Sequence, residues 1–212
     1  MKQITSYIQE GLRINKNIKI HKHCPESISE FRKIIENKYK DNHEVLDLSD
    51  VDVSKMTTLE NLFNYNNDNF TKYKVKKIIG VGSWDIRNVK KLSKMFTEMG
   101  GLEEIDGISD WDVSNVESMF GMFQSCYSLK ELDLSSWNTK NLKTTTSMFN
   151  GCTNIKSIGD ISDWNISNLG DCQNMFYGCK KLVLDIKKWG LKKVTSNIKS
   201  WEINSWADKV II

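Results

Sequence analysis

Apolar and polar positions in this chain return to the same phase about every 26 residues. Trp84, Trp111, Trp137, Trp164 and Trp189 are separated by 27, 26, 27 and 25 positions. Met95-Phe96, Met122-Phe123, Met148-Phe149 and Met175-Phe176 each begin eleven positions after a tryptophan. A fixed period of this size marks a stacked array in which each unit is one supersecondary element. In the unit opened by Trp111, the residues Val116, Met119, Met122, Phe123 and Cys126 recur in steps of three and four, which predicts a helix with one apolar face. Ser114 and Asn115 stand where its N-cap would be. The pattern then changes to Leu129, Leu132 and Leu134, alternating across Asp133, which predicts a short strand.

The other units follow the same scheme. Predicted helix faces are Val89, Leu92, Met95, Phe96 and Met99, then Leu142, Thr145, Met148, Phe149 and Cys152, then Leu169, Cys172, Met175, Phe176 and Cys179. Strand cores fall at Ile105 and Ile108, Ile158 and Ile161, and Leu184 and Ile186. A degenerate earlier unit has Leu46-Asp47-Leu48 as its strand, Val51-Asp52-Val53 as its opening, and Leu59, Leu62 and Phe63 in helical phase. The interval from Val51 to Trp84 is 33 residues, which places an insertion loop between Asn64 and Tyr73.

The predicted fold is therefore α/β: a right-handed solenoid of about five strand–helix repeats, with a parallel sheet and a helical N-terminal cap. Residues 1–44 form the cap or leader, 45–190 the repeats, and 191–212 a C-terminal capping helix. In the cap, Ile4, Tyr7, Ile8 and Leu12 share one helical face. Pro25 opens a second helix carrying Ile28, Phe31, Ile34, Ile35 and Tyr39. At the other end, Val194, Ile198, Trp201 and Ile203 suggest the closing helix.

Three recurring residue types have structural readings. Asn88, Asn115, Asn141 and Asn168 each follow a tryptophan by four positions, where an amide can bond the backbone of an adjacent coil. The five tryptophans wedge between coils, each indole N–H requiring an acceptor. Phe96, Phe123, Phe149 and Phe176 belong to the core. Cys126, Cys152 and Cys179 occupy the position of Met99, so they read as apolar plugs rather than as disulfide partners or metal ligands.

Composition narrows the function. The chain is 39% hydrophobic and 27% charged, too apolar for a disordered protein. Its net charge of +3 is spread out, unlike the basic stripe of a nucleic-acid binder. There is no run of apolar residues long enough to span a membrane. The opening Met1-Lys2-Gln3-Ile4-Thr5-Ser6-Tyr7 lacks the apolar core of a secretory signal, which favours the bacterial cytoplasm or a phage virion over Sec export.

The segments Trp-Asp-Val-Ser-Asn-Val (111–116), Met-Phe, Cys-x-x-Leu and Leu-Asp-Leu-Ser-x-Trp (132–137) resemble the BspA-type leucine-rich repeats, the DUF285 repeats abundant in mycoplasma surface lipoproteins. The resemblance covers roughly residues 45–190 and implies a repeat solenoid, many of whose members serve in adhesion. The stretch Tyr7-Ile8-Gln9-Glu10-Gly11-Leu12-Arg13-Ile14-Asn15-Lys16 also resembles short leaders on gut-bacteriophage proteins. That likeness implies a phage-encoded protein.

Candidate chemistry is sparse. His21-Lys22-His23-Cys24 is the one metal-like cluster, but it has no second ligand pair at finger spacing and reads as a basic loop between two helices. All three histidines precede residue 44, which leaves the repeats without a general base at neutral pH. No catalytic residues, metal site or cofactor are expected. The binding candidates are acidic: Asp47, Asp106, Asp133 and Asp185 lie between paired strand apolars, with Asp160 offset by one. Stacked one strand apart, they would form a carboxylate ladder that needs compensation by a cation, a basic partner, or local serine and turn N–H donors. The expected function is a non-enzymatic scaffold that presents this strand face to a protein or glycan. The alternative is a packaged or structural virion protein that assembles with itself or with capsid components.

Overall fold

The computed structural model describes residues 21–41, 43–64, 74–189 and 210–211. The predicted first helix over Ile4 to Leu12, residues 65–73 of the insertion and the closing helix at Val194 to Ile203 lie outside the described residues. What is described is a mixed helix and strand structure with one α-helix and small parallel sheets.

Helix α1 spans Ile28–Asp41. Ser27 Oγ accepts the Glu30 N–H at 3.2 Å, satisfying one of the free donors of the first turn, and Glu30 turns back to the Glu26 N–H at 2.8 Å. Phe31, Ile35 and Tyr39 are buried along one face, and the Phe31 ring meets Trp84 edge-on at 5.4 Å. Arg32 reaches across to the Asn61 carbonyl at 2.7 Å, fastening the helix over the first repeat.

Strands β1 (Val45–Asp47), β2 (Lys77–Ile79) and β3 (Glu104–Ile105) form one parallel sheet in that order, with Leu46, Ile78 and Ile105 in register. Strand β4 (Leu184–Asp185) pairs in parallel with β5 (Val210–Ile211). Between these sheets a single bridge joins Glu131 to Ser157. Short 3-10 turns at Val81–Ser83, Ile108–Asp110 and Lys187–Trp189 lead into or include a tryptophan. Ile108 thus sits in a turn rather than a strand, and Ile161 is also outside any strand.

The helices expected inside the repeats are absent from the described residues. Val116 to Cys126 is a succession of turns with a bridge at Ser118. An α-helix sends each N–H to the carbonyl four residues back along its own chain. Here the Met119, Gly121, Phe123 and Ser125 N–H groups instead cross to the carbonyls of Thr144, Thr146, Met148 and Asn150 in the next repeat, at 2.7–3.0 Å. The intervening Met122, Gln124 and Cys126 N–H groups close four-residue turns onto Met119, Gly121 and Phe123. Successive short turns place apolar residues in steps of three and four just as a helix does. Positive φ at Gly121 (58°) and Ser125 (60°) breaks any helical path. The four parallel bridges Thr58–Lys91–Ser118–Thr144–Asp171 make this segment a second parallel ladder.

Candidate functional site

Equivalent side chains stack from one repeat to the next. The indoles of Trp84, Trp111, Trp137, Trp164 and Trp189 lie nearly parallel with centroids 6.0–6.4 Å apart. Their N–H groups donate in turn to the carbonyls of Leu48, Val81, Ile108, Leu134 and Ile161, at 2.8–3.4 Å. Phe63, Phe96, Phe123, Phe149 and Phe176 form a second column at 5.2–5.9 Å. Each ring is fully buried, worth about 1.5–3 kcal/mol relative to exposure.

Two polar columns run beside the rings. Asn88, Asn115, Asn141 and Asn168 donate from Nδ2 to the carbonyls of Ser54, Arg87, Ser114 and Lys140 at 2.7–2.8 Å. Asp52, Asp85, Asp112, Asn138 and Asn165, which sequence reasoning passed over, each accept the N–H two residues ahead at 2.8–3.3 Å. Their signal was the Asp or Asn that directly follows each opening residue, at turn spacing. The buried thiols of Cys126, Cys152 and Cys179 donate to the carbonyls of Phe96, Phe123 and Phe149. Burial pushes Cys126 and Cys179 up to about 12 and raises Cys152 well above the ordinary thiol range. Such groups stay as neutral thiols and are poor nucleophiles or metal ligands.

The acidic strand positions are less regular than a ladder. Asp47 pairs in register with Ile79, so an apolar residue separates it from Asp106. Asp133 faces Gly159, where an added Cβ would overlap the carboxylate, and Asp160 is displaced by one. Of the five, Asp106 and Asp133 alone occupy equivalent places in adjacent repeats. Local donors serve most of them. Asp47 accepts the Ser49 N–H at 2.8 Å, Asp160 the Ser162 N–H at 2.9 Å, and Asp185 the Lys187 N–H at 3.0 Å. Asp133 accepts both the hydroxyl (2.7 Å) and N–H (3.0 Å) of Ser135, which together hold its carboxyl below the usual range.

Between β3 and the repeat containing Leu132 no bridge is formed among the described residues, and a shallow groove of about 450 Å³ opens there. Glu104 and Glu131, and Asp106 and Asp133, line its two sides. Like charges on neighbouring strands disfavour close pairing. The interruption therefore falls where two acidic pairs would otherwise meet.

The basic loop at the histidine segment is tied to the first repeat by backbone bonds. Lys22 N–H reaches the Asp50 carbonyl at 2.9 Å, His23 bridges Val51, and the Asp52 N–H returns to the His23 carbonyl at 2.8 Å. It is an edge segment laid on the first repeat. Lys38 of α1 pairs with Asp50 at 2.6 Å, with His23 4.0 Å away. No group of three His, Cys, Asp or Glu side chains among the described residues could hold a metal ion. Nor is any described helix long and apolar enough to cross a membrane.

No curated protein and no solved structure matches the chain. A family model described as "Mycoplasma protein of unknown function, DUF285" matches it three times, over residues 3–104, 30–158 and 101–205. The overlapping matches cover nearly the whole sequence and repeat along it, as the stacked columns do, so the chain belongs to the DUF285 family.

Proposed function

We propose that the protein is a non-enzymatic display scaffold: a right-handed solenoid of about five repeats that binds a cationic protein or peptide along its strand face. One observation carries this reading. The recurring Trp, Phe, Asn and Cys side chains are engaged within the stack, which leaves the outward-facing residues free to differ from repeat to repeat. A scaffold of that design changes its ligand by changing its surface without touching its core.

The acidic groove offers the charge complement. Electrostatic complementarity between such a face and a basic segment speeds encounter and fixes register. The absence of enzymatic activity is part of the same proposal. It is supported by the closed environment of the three thiols and by the position of all three histidines in the N-terminal segment.

The test uses poly-L-lysine as the probe, titrated into the full chain and into an Asp106→Asn/Asp133→Asn variant. The expected result is weaker binding in the variant with at most a small fall in Tm, since an asparagine oxygen can still accept the Ser135 bonds, and an affinity that falls as salt rises. Equal binding by both proteins would remove the acidic face from the function. A large fall in Tm would show that the two carboxylates are structural.

A further inference from the structure

Along the first strands of the face, neighbouring repeats meet with opposite charges. Lys76 pairs with Glu44 at 2.6 Å, Lys77 with Glu104 at 2.6 Å, and Lys130 with Glu103. Beyond these pairs the alternation stops. Asp106, Glu131 and Asp133 stand around the acidic groove with no cation paired to them among the described residues. The lysines lie further along the stack. Lys156 is on the next repeat, Lys180 and Lys181 are in the turn leading into β4, and Lys187 and Lys188 come just after it, all exposed.

The two regions lie on either side of one rib. In the rib, the Glu131–Ser157 bridge joins adjacent repeats, and the Leu132 and Leu134 N–H groups donate to the Ser157 and Ile158 carbonyls at 3.0 Å. On one side is the acidic groove of about 450 Å³. On the other, no bridge joins residues 157–159 to β4 among the described residues. A second groove, of about 490 Å³, opens there and is lined by Val183, Lys187 and Lys188. The indoles of the repeats flanking the two grooves are 6.4 and 6.2 Å apart, so the grooves are matched in width as well as in volume. Lys188 reaches Asp163 at 2.9 Å and Lys187 reaches Asp185 at 3.6 Å, but ion pairs this exposed hold weakly and can exchange partners.

We infer that the strand face is a dimer interface, and that the cationic partner it receives is a second copy of this chain. The inference rests on the reading of the acidic groove as a binding surface and names what binds there. A two-fold axis running along the strands, through the rib between Leu132 and Ile158, generates the contact. It reverses the order of the repeats, so rib meets rib, each acidic groove meets the lysine-bearing groove of the other copy, and β3 faces the other copy's β4. A closed dimer needs one patch that complements itself in this way. An unrelated basic segment would neutralise the carboxylates and leave the lysines beyond the rib unanswered. The rotated copy supplies both signs, in order and at matched spacing, which fixes the register of the pair. It also covers Val183, a large apolar side chain that is 61% exposed on this face.

The experiment is sedimentation equilibrium of the full chain over a range of concentrations, at low salt and at ~0.5 M salt. The expected result is a reversible species of twice the 24.5 kDa chain mass, whose Kd rises about tenfold or more with salt. Two charge-reversed variants, Asp106→Lys/Glu131→Lys and Lys156→Glu/Lys187→Glu, exchange only exposed side chains. Each should be monomeric alone, with at most a small change in Tm, and the two should form a one-to-one dimer when mixed. The inference is overturned if the unaltered chain stays monomeric at low salt, if its dimer survives both reversals, or if mixing the variants restores nothing. Poly-L-lysine separates this from the broader reading, because Lys156→Glu/Lys187→Glu keeps the acidic groove and should still capture it. A chain that captures poly-L-lysine and never dimerises would overturn the dimer alone. A dimer abolished by the reversals, in a chain that ignores poly-L-lysine, would support the dimer and remove the general affinity for cationic peptides.

Discussion

Thr139 and Thr145 are both buried, at 2% and 1% exposure, and differ in what their hydroxyls meet. Thr139 Oγ1 donates to the Asn165 carbonyl in the next repeat at 3.1 Å. Thr145 Oγ1 has no partner, and the equivalent places in neighbouring repeats hold Leu92, Met119 and Cys172, all fully buried. A buried hydroxyl left unpaired costs about 1–3 kcal/mol, whereas a made hydrogen bond contributes a net ~1 kcal/mol. Replacing Thr145 by Val exchanges the orphan hydroxyl for a methyl group in an apolar column. The expected gain is about 1 kcal/mol, which for a chain of this size raises Tm by about 2–4 °C. Thr139→Val removes a made bond and should lower Tm by a similar amount. Differential scanning calorimetry of the two variants beside the unaltered protein reads both signs. Shifts in the same direction, or a fall in Tm for Thr145→Val, would refute the reasoning.

Other expectations follow from the same geometry. With Ellman's reagent, Cys24 should react at once in the native protein, while the buried Cys126, Cys152, Cys172 and Cys179 should react only as denaturant unfolds the chain; rapid labelling of more than one thiol would contradict the closed packing. Asn115→Ala removes the bond to the Arg87 carbonyl and should cost about 0.5–1.5 kcal/mol in urea denaturation. Gly80 has φ +84°, and a Cβ there would overlap the Ser49 backbone, so Gly80→Ala should destabilise by more than the ~1–3 kcal/mol of left-handed strain alone. The Ser54 N–H and hydroxyl lower the pKa of Asp52, and the Ser114 hydroxyl and N–H lower that of Asp112, both from 3.8. A carboxylate with a depressed folded pKa contributes stability above its unfolded value and loses it as pH falls through the folded one. Urea midpoints should therefore hold steady well above pH 3.8 and fall below it, and Asp112→Asn should flatten that fall.

Much of this was legible in the chain. The period located the Trp, Phe, Asn and Cys columns, and the apolar face from Ile28 to Tyr39 located α1. The repeat interior was misread because steps of three and four belong equally to a helix and to consecutive four-residue turns. Gly121, Gly151 and Gly178 inside the presumed helices were the available warning. The left-handed backbone of Lys94, Glu98, Ser125 and Ser147 was not legible, since nothing in those residue types demands it. The acidic row looked continuous because the insertion before Trp84 hid β2, and with it Ile79 in the place of an aspartate. Its gap between β3 and Leu132 is a property of facing pairs, which only the register reveals.

The reach of the column side chains sets how such a gene can change. Each indole, amide and thiol donates to a carbonyl about one repeat behind it, at sequence separations of 27–36 residues. Excising the 26 residues from Trp111 to Ser136 would bring Trp137 onto Val81 and Asn141 onto Arg87, carbonyls of the same geometry as those they lose. Duplicating that stretch closes equally well. Recombination between repeats can therefore lengthen or shorten the protein by whole repeats without leaving a column donor stranded.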